Sequence, residues 1–170
     1  MKRLALLTLA ALVFFVGPLH ASPDTPSAKI PDDQRDLAQR AADAFQKQDY
    51  ATAAADYQKM LKAHPDSLYA WSNLGVARFQ QGHLEEARAA FLTAHKLNAS
   101  DVFTLTNLGI VSYQLNAFND AIKALNAASV LNPNDANIHN YLGLAYEKAG
   151  RKAESLSELA KAKALENVTP

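Results

Sequence analysis

The pairs Leu74-Gly75, Leu108-Gly109 and Leu142-Gly143 each follow the last by 34 residues. No other feature constrains the fold so tightly, because a fixed period makes the chain one small unit copied in tandem. The same step carries Ala53 to Ala87 to Ala121, and Leu97 to Leu131 to Leu165. It also carries Tyr57 to Phe91, Leu125 and Leu159. A unit this short cannot bury its apolar face alone and must stack on its neighbours.

The repeats run 34–67, 68–101, 102–135 and 136–169 without insertion, with positions counted 1 to 34 in each. Position 34 is Asp33, Ser67, Asp101 and Asp135. Each of these side chains can accept from the free N–H groups of a following helix. Position 15 is Gln48, Gly82, Asn116 and Gly150. Glycine and asparagine suit the left-handed residue that ends a helix, so every repeat breaks in its middle. Each copy therefore encodes helix A, a tight turn and helix B.

Glycine inside a helix costs roughly 1 kcal/mol against alanine, so three glycines at position 8 imply a packing demand. The expected counterpart is the small residue at position 20: Ala53, Ala87, Ala121 and Ser155. Helix A offers apolar positions 4 and 7, as in Trp71 and Leu74 or Leu105 and Leu108. Helix B offers positions 24, 27 and 30, as in Phe91, Ala94 and Leu97. Spacings of three and four place each set on one helical face.

Trp71-Ser72-Asn73-Leu74-Gly75, followed by Gly82, Ala87, Phe91 and Ala94, resembles the tetratricopeptide repeat. The third repeat matches with Leu105-Thr106-Asn107-Leu108-Gly109, Phe118, Ala121, Leu125, Ala128 and Pro133. The first repeat departs at Arg40 and Ala41, and the fourth at Lys152, Ser155 and Asn167, as terminal repeats do. The resemblance covers about four fifths of the chain. It implies an all-α, right-handed solenoid of four antiparallel helix pairs.

The N-terminal segment is of another kind. Lys2 and Arg3 precede an apolar run from Leu4 to Val16, and Gly17-Pro18 breaks it before Leu19-His20-Ala21. At 1.5 Å per residue the run spans about 20 Å, short of the ~30 Å hydrocarbon core. It reads as a secretory signal peptide over 1–21, cleaved after Ala21, with an uncleaved anchor as the alternative. Residues 22–33 hold three of the seven prolines and read as a linker or tail. The mature chain is expected in a bacterial periplasm, or else secreted. Losing Lys2 and Arg3 leaves 15 basic residues against 17 acidic, a net charge of −2. That balance offers no basic stripe for nucleic acid or anionic lipid, and no stable membrane insertion is expected after cleavage. There is no cysteine, so neither a disulfide nor a thioether-linked lipid is available.

Catalytic chemistry finds little footing. His64, His83, His95 and His139 fall at positions 31, 16, 28 and 4, with no pair at helical ligand spacing. No metal or cofactor is expected. Glu85-Glu86 opens a B helix, where the dipole favours negative charge. Ser72, Ser112 and Ser155 lack a neighbouring base, and the glycines are too dispersed for a phosphate loop. The chain is not expected to be an enzyme.

Positions 2, 5, 9 and 12 form a second stripe on helix A. The candidates are Phe45 in repeat 1 and Tyr69, Ser72, Val76 and Phe79 in repeat 2. Repeat 3 adds Phe103, Thr106, Ile110 and Tyr113, and repeat 4 adds Asn140 and Leu144. The resemblance implies that this stripe lines a concave, peptide-receiving groove. Of these residues, Val76, Ile110 and Leu144 read rather as seals between adjacent A helices, and Tyr69, Phe79, Phe103 and Tyr113 as partner contacts. The lysine, arginine and asparagine clamp with which the family grips a terminal carboxylate is missing: position 5 is Ala38, Ser72, Thr106 and Asn140, and position 9 is Ala42, Val76, Ile110 and Leu144. The expected function is a non-catalytic binding module of the bacterial envelope, holding a hydrophobic or aromatic-bearing segment of a protein partner. Two other readings stand beside it. One is a homo-oligomer assembled through the last B helix, and the other is a periplasmic holdase.

Overall fold

The computed structural model describes residues 30–167; the signal peptide expected over 1–21, and the tail up to residue 29, lie outside them. The described residues form eight α-helices: α1 (Arg35–Gln46), α2 (Tyr50–Ala63), α3 (Leu68–Gln80), α4 (Leu84–Leu97), α5 (Val102–Gln114), α6 (Phe118–Leu131), α7 (Ala136–Lys148) and α8 (Lys152–Glu166). Odd-numbered helices are the A helices and even-numbered ones the B helices. Each helix packs on the next along the chain, and α5 also touches α3 and α7. The result is a solenoid whose A helices lie side by side.

Three of the four expected caps form. Ser67, Asp101 and Asp135 accept from the backbone N–H of Ala70, Thr104 and Asn137. Asp33 does not cap α1, because it lies inside a short 3-10 turn, Asp32–Gln34, set up by Pro31. Its carboxylate faces His64 Nε2 at 3.4 Å instead. The next residue, Gln34, is buried and donates from Nε2 to the Met60 carbonyl at 2.9 Å. Ile30 packs on the same first core, so ordered packing begins before residue 34.

All four position-15 residues are left-handed, with φ of 59° at Gln48, 79° at Gly82, 60° at Asn116 and 77° at Gly150. Each closes a Schellman turn. In repeat 2 the N–H of Gly82 donates to Phe79, and that of His83 to Arg78, both at 2.9 Å. The same pair of bonds recurs at 48–49, 116–117 and 150–151. This turn reverses the chain, and the residue after it decides the cap. Asp49 accepts from the Thr52 N–H at 3.1 Å and caps α2, whereas His83, Ala117 and Arg151 leave α4, α6 and α8 without a side-chain cap.

The position-8 glycines face a different residue from the one expected. A Cβ on Gly75 would stand 2.7 Å from the Phe91 ring, and one on Gly143 2.7 Å from Leu159 Cγ. The counterpart is thus the large residue at position 24, not the small one at position 20. Glycine makes room for a ring or an isobutyl group, while Ala53, Ala87 and Ala121 fill tight space elsewhere in the helix pair. Position 30 also departs from expectation: Leu97 and Leu131 are 43% and 47% exposed. Each three-residue step falls about 60° short of a full turn, so the second step from position 24 leaves the buried stripe.

The terminal repeats exchange apolar contacts for ionic ones. Arg40, at the register of Leu74 and Leu108, donates from Nε to Asp56 at 2.9 Å, and Lys59 reaches the same carboxylate at 2.9 Å. Burial alone would raise the Asp56 carboxyl, but these two cations outweigh it and hold it below its ordinary value. His139 stands at the register of Trp71. Trp71 donates from Nε1 to the Pro65 carbonyl at 2.8 Å, and His139 places Nε2 2.9 Å from the Pro133 carbonyl. Its Nδ1 lies 2.6 Å from Glu158, pinning α7 to α8.

Candidate partner-binding groove

The open faces of the A helices build the candidate groove, but only part of the expected stripe reaches it. Positions 5 and 9 are largely closed in between neighbouring helices. Ser72 is buried, with Oγ 2.9 Å from Thr104 Oγ1. Val76 packs with Phe91, Leu108 and Val111, and Ile110 is buried in the next cluster along with Leu105 and Leu125. Leu144 packs half-buried against that cluster, and Thr106 and Asn140 are half-buried as well. These residues fix one repeat against the next.

Position 12 is half-committed to the core. Phe45 stands edge-on to Tyr50, with centroids 5.0 Å apart. Phe79 packs against the central and C-terminal clusters together. Tyr113 lies edge-on to Tyr141 at 6.3 Å and tilted against Phe118 at 5.8 Å. At position 2, Tyr69 is half-buried and edge-on to Tyr57 at 6.0 Å. Phe103, the equivalent residue one repeat on, is 41% exposed. It is the most accessible aromatic of the stripe.

Residues at positions 6 and 13 reach the same surface and were missed. Asn107 is half-buried beside Phe103 and donates from Nδ2 to its carbonyl at 2.9 Å. Gln80 is half-buried and Gln114 exposed. Positions 2, 6 and 13 are four and seven residues apart, which is one helical face. Counting by four and then seven from position 2 reaches them in the sequence, but only packing separates them from the buried residues of the stripe.

The middle of this surface carries little charge. Helix α5 contains no charged residue. In α3 the only one is Arg78, which turns to Glu86 at 3.1 Å and to Gln81 at 3.0 Å. Burial pushes the Tyr141 phenol up to about 12, with Tyr113 adding to the shift, and burial raises Tyr69 too. These phenols stay neutral at neutral pH. The surface therefore presents rings and carboxamides, suited to apolar contact and neutral hydrogen bonds.

Among the described residues the histidines do not converge. His64, His83 and His139 each face a different carboxylate: Asp33, Glu86 and Glu158. Glu85 and Glu86 lie in the first turn of α4, as the dipole favours.

Four helix hairpins, reversed by the same left-handed turn and stacked through their A helices, define an α-solenoid of the protein-interaction class. Tetratricopeptide-repeat models match residues 36–101 and residues 111–150. The chain is a tetratricopeptide-repeat protein. Among solved structures it is similar to MamA, at 23% identity over 81% of this chain and 80% of that one, with a TM-score of 0.75. It is also similar to MamA from residue 41 onward from Desulfovibrio magneticus RS-1, at 20% identity over 81% and 77%, with a TM-score of 0.75. A double mutant of MamA from RS-1 aligns at 18% identity over 80% and 76%, with a TM-score of 0.76. Identities this low establish a shared fold. No curated protein sequence matches the chain.

Proposed function

We propose that the protein is a non-catalytic interaction module of the bacterial envelope. In this reading the A-helix groove holds an uncharged, aromatic-bearing segment of a partner protein. The observation that carries it is Phe103, 41% exposed on a helix without a single charge and flanked by carboxamides. An exposed ring amid half-buried ones offers apolar area already held in place, which is what an interface anchor requires. The test is capture of partners from envelope extract with wild type and with Phe103→Ser. Loss of capture with unchanged melting supports the groove, and equal capture by both removes it.

Export belongs to the same proposal and rests on the apolar run ending at Gly17-Pro18. Mass spectrometry of the protein from a bacterial host should find Ser22 as the first residue. Residues 1–21 intact in a membrane fraction would overturn it.

A second reading is favoured by one observation on α8. Leu156, at position 21, is 71% exposed, whereas its apolar equivalents Ala54 and Ile122 are 1% and 6% exposed beneath the next repeat; the remaining equivalent, Arg88, is half-buried. Another copy stacked on α8 would cover it. Light scattering coupled to size-exclusion chromatography decides, because a monomer at all concentrations excludes self-assembly.

A further inference from the structure

The four repeats fill position 11 of helix A very differently. Ala44 stands there in α1, Arg78 in α3, Ser112 in α5 and Tyr146 in α7. At the junction of repeats 3 and 4, Tyr146 is 7% exposed and its hydroxyl lies 3.0 Å from Asn126 Nδ2, at position 25 of α6. At the junction of repeats 1 and 2 the long side chain of Arg78 occupies that register. Between repeats 2 and 3 the register offers only the short side chain of Ser112.

A cavity of about 230 Å³ lies there, between α4 and α6 and above α5. Leu92 and Ser112 both line it, and they are the register equivalents of Asn126 and Tyr146. Leu105, Leu108 and Ala124 supply apolar walls, and His95 a polar one. Two buried polar atoms on these lining residues, His95 Nδ1 and Ser112 Oγ, have no hydrogen-bond partner in the protein. Such atoms are costly to leave unmatched, and each ordinarily has a partner. Arg88, Asp120 and Lys123 line the cavity too, and Arg88 reaches across from α4 to Asp120 of α6 at 3.1 Å.

We propose that this slot is a binding site for a single phenolic ring, which occupies it as Tyr146 occupies the next junction. An apolar cavity of about 150 Å³ already holds a benzene molecule, so the volume suits one ring with a polar substituent. The hydroxyl supplies what the lining lacks. It donates to His95 Nδ1, in the tautomer with its proton on Nε2, and accepts from the Ser112 hydroxyl. The site faces the B-helix side, and it does not depend on the groove of the A helices.

The test is titration of the ¹⁵N-labelled protein with p-cresol, followed by amide chemical shifts. Saturable shifts confined to residues around Leu92, His95 and Ser112 are expected. Toluene, which lacks the hydroxyl, should bind roughly fivefold more weakly. Ser112→Tyr should fill the slot from within, raise the melting temperature and abolish the shifts. If that variant loses its dispersed amide spectrum, Leu92→Trp at the exposed wall serves in its place and should block entry. Shifts scattered over the surface, equal affinity for toluene, or p-cresol binding that survives a folded blocking variant would each overturn the site.

Discussion

Gly109 lies directly against Leu125. A Cβ at residue 109 would stand 2.9 Å from Leu125 Cδ2 and 3.1 Å from Cδ1, and closer still to Cγ. Alanine is ordinarily the better helix residue by roughly 1 kcal/mol, but overpacking of a core costs ~1–3 kcal/mol. Gly109→Ala should therefore lower stability by about 1 kcal/mol in denaturant unfolding, despite its propensity. In a Leu125→Ala background the same change should raise stability, since the obstruction is gone. A stabilising Gly109→Ala in the wild-type chain would refute the contact.

Gln48 adopts the left-handed conformation that Gly82 and Gly150 adopt at equivalent turns. An L-residue with a long side chain pays roughly 1 kcal/mol there, while asparagine pays less. Gln48→Gly should raise the melting temperature, and Asn116→Gly should raise it less. Calorimetry on both variants checks the order.

Acid should unfasten the terminal repeats. Burial would raise both the Asp56 and Glu158 carboxyls. Lys59 and Arg40 at the first, and Lys161 and His139 at the second, outweigh burial and leave both lowered. A lowered folded-state pKa contributes stability that is present above the ordinary carboxylate range and lost as pH falls through the folded value. Melting temperature should therefore hold steady down to about pH 4.5 and fall below it. Asp56→Asn combined with Glu158→Gln should melt lower at neutral pH and lose less on acidification. An unchanged acid slope would mean that neither carboxylate carries the effect.

Tyr113 and Phe103 share the candidate groove but not its energetics. Tyr113 touches Tyr141 and Phe118, so Tyr113→Ser should cost about 2 kcal/mol of stability as well as weakening capture. Phe103→Ser should leave melting within a degree or two. Thermal unfolding of the two variants side by side separates ring packing from ring presentation.

Helix pairing and the turn at position 15 were legible, because backbone requirements recur at every copy and a period exposes them. The partner of each glycine was not. Nothing in one dimension distinguishes Ala121 from Leu125 as the residue opposite Gly109, since both lie on the same side of α6. The groove was half legible for a related reason. Steps of three and steps of four both read as one face of α3 or α5, and only packing shows that Ser72 and Val76 turn inward while Asn107 and Gln114 turn outward. Asp33 misled because its residue type suits a cap, whereas the proline two places earlier shapes the turn.

The hydroxyl contact between Ser72 and Thr104 ties α3 to α5 at a depth that water does not reach. Sliding or pivoting of two successive A helices so joined would break a buried bond, which favours one fixed curvature for the surface between Tyr69 and Phe103. If the groove takes a partner segment as proposed, adaptation falls on that segment, which must give up its own conformational freedom to match a template. Discrimination among guests would rest on how cheaply each can take that shape, and slow dissociation would mark the ones that can.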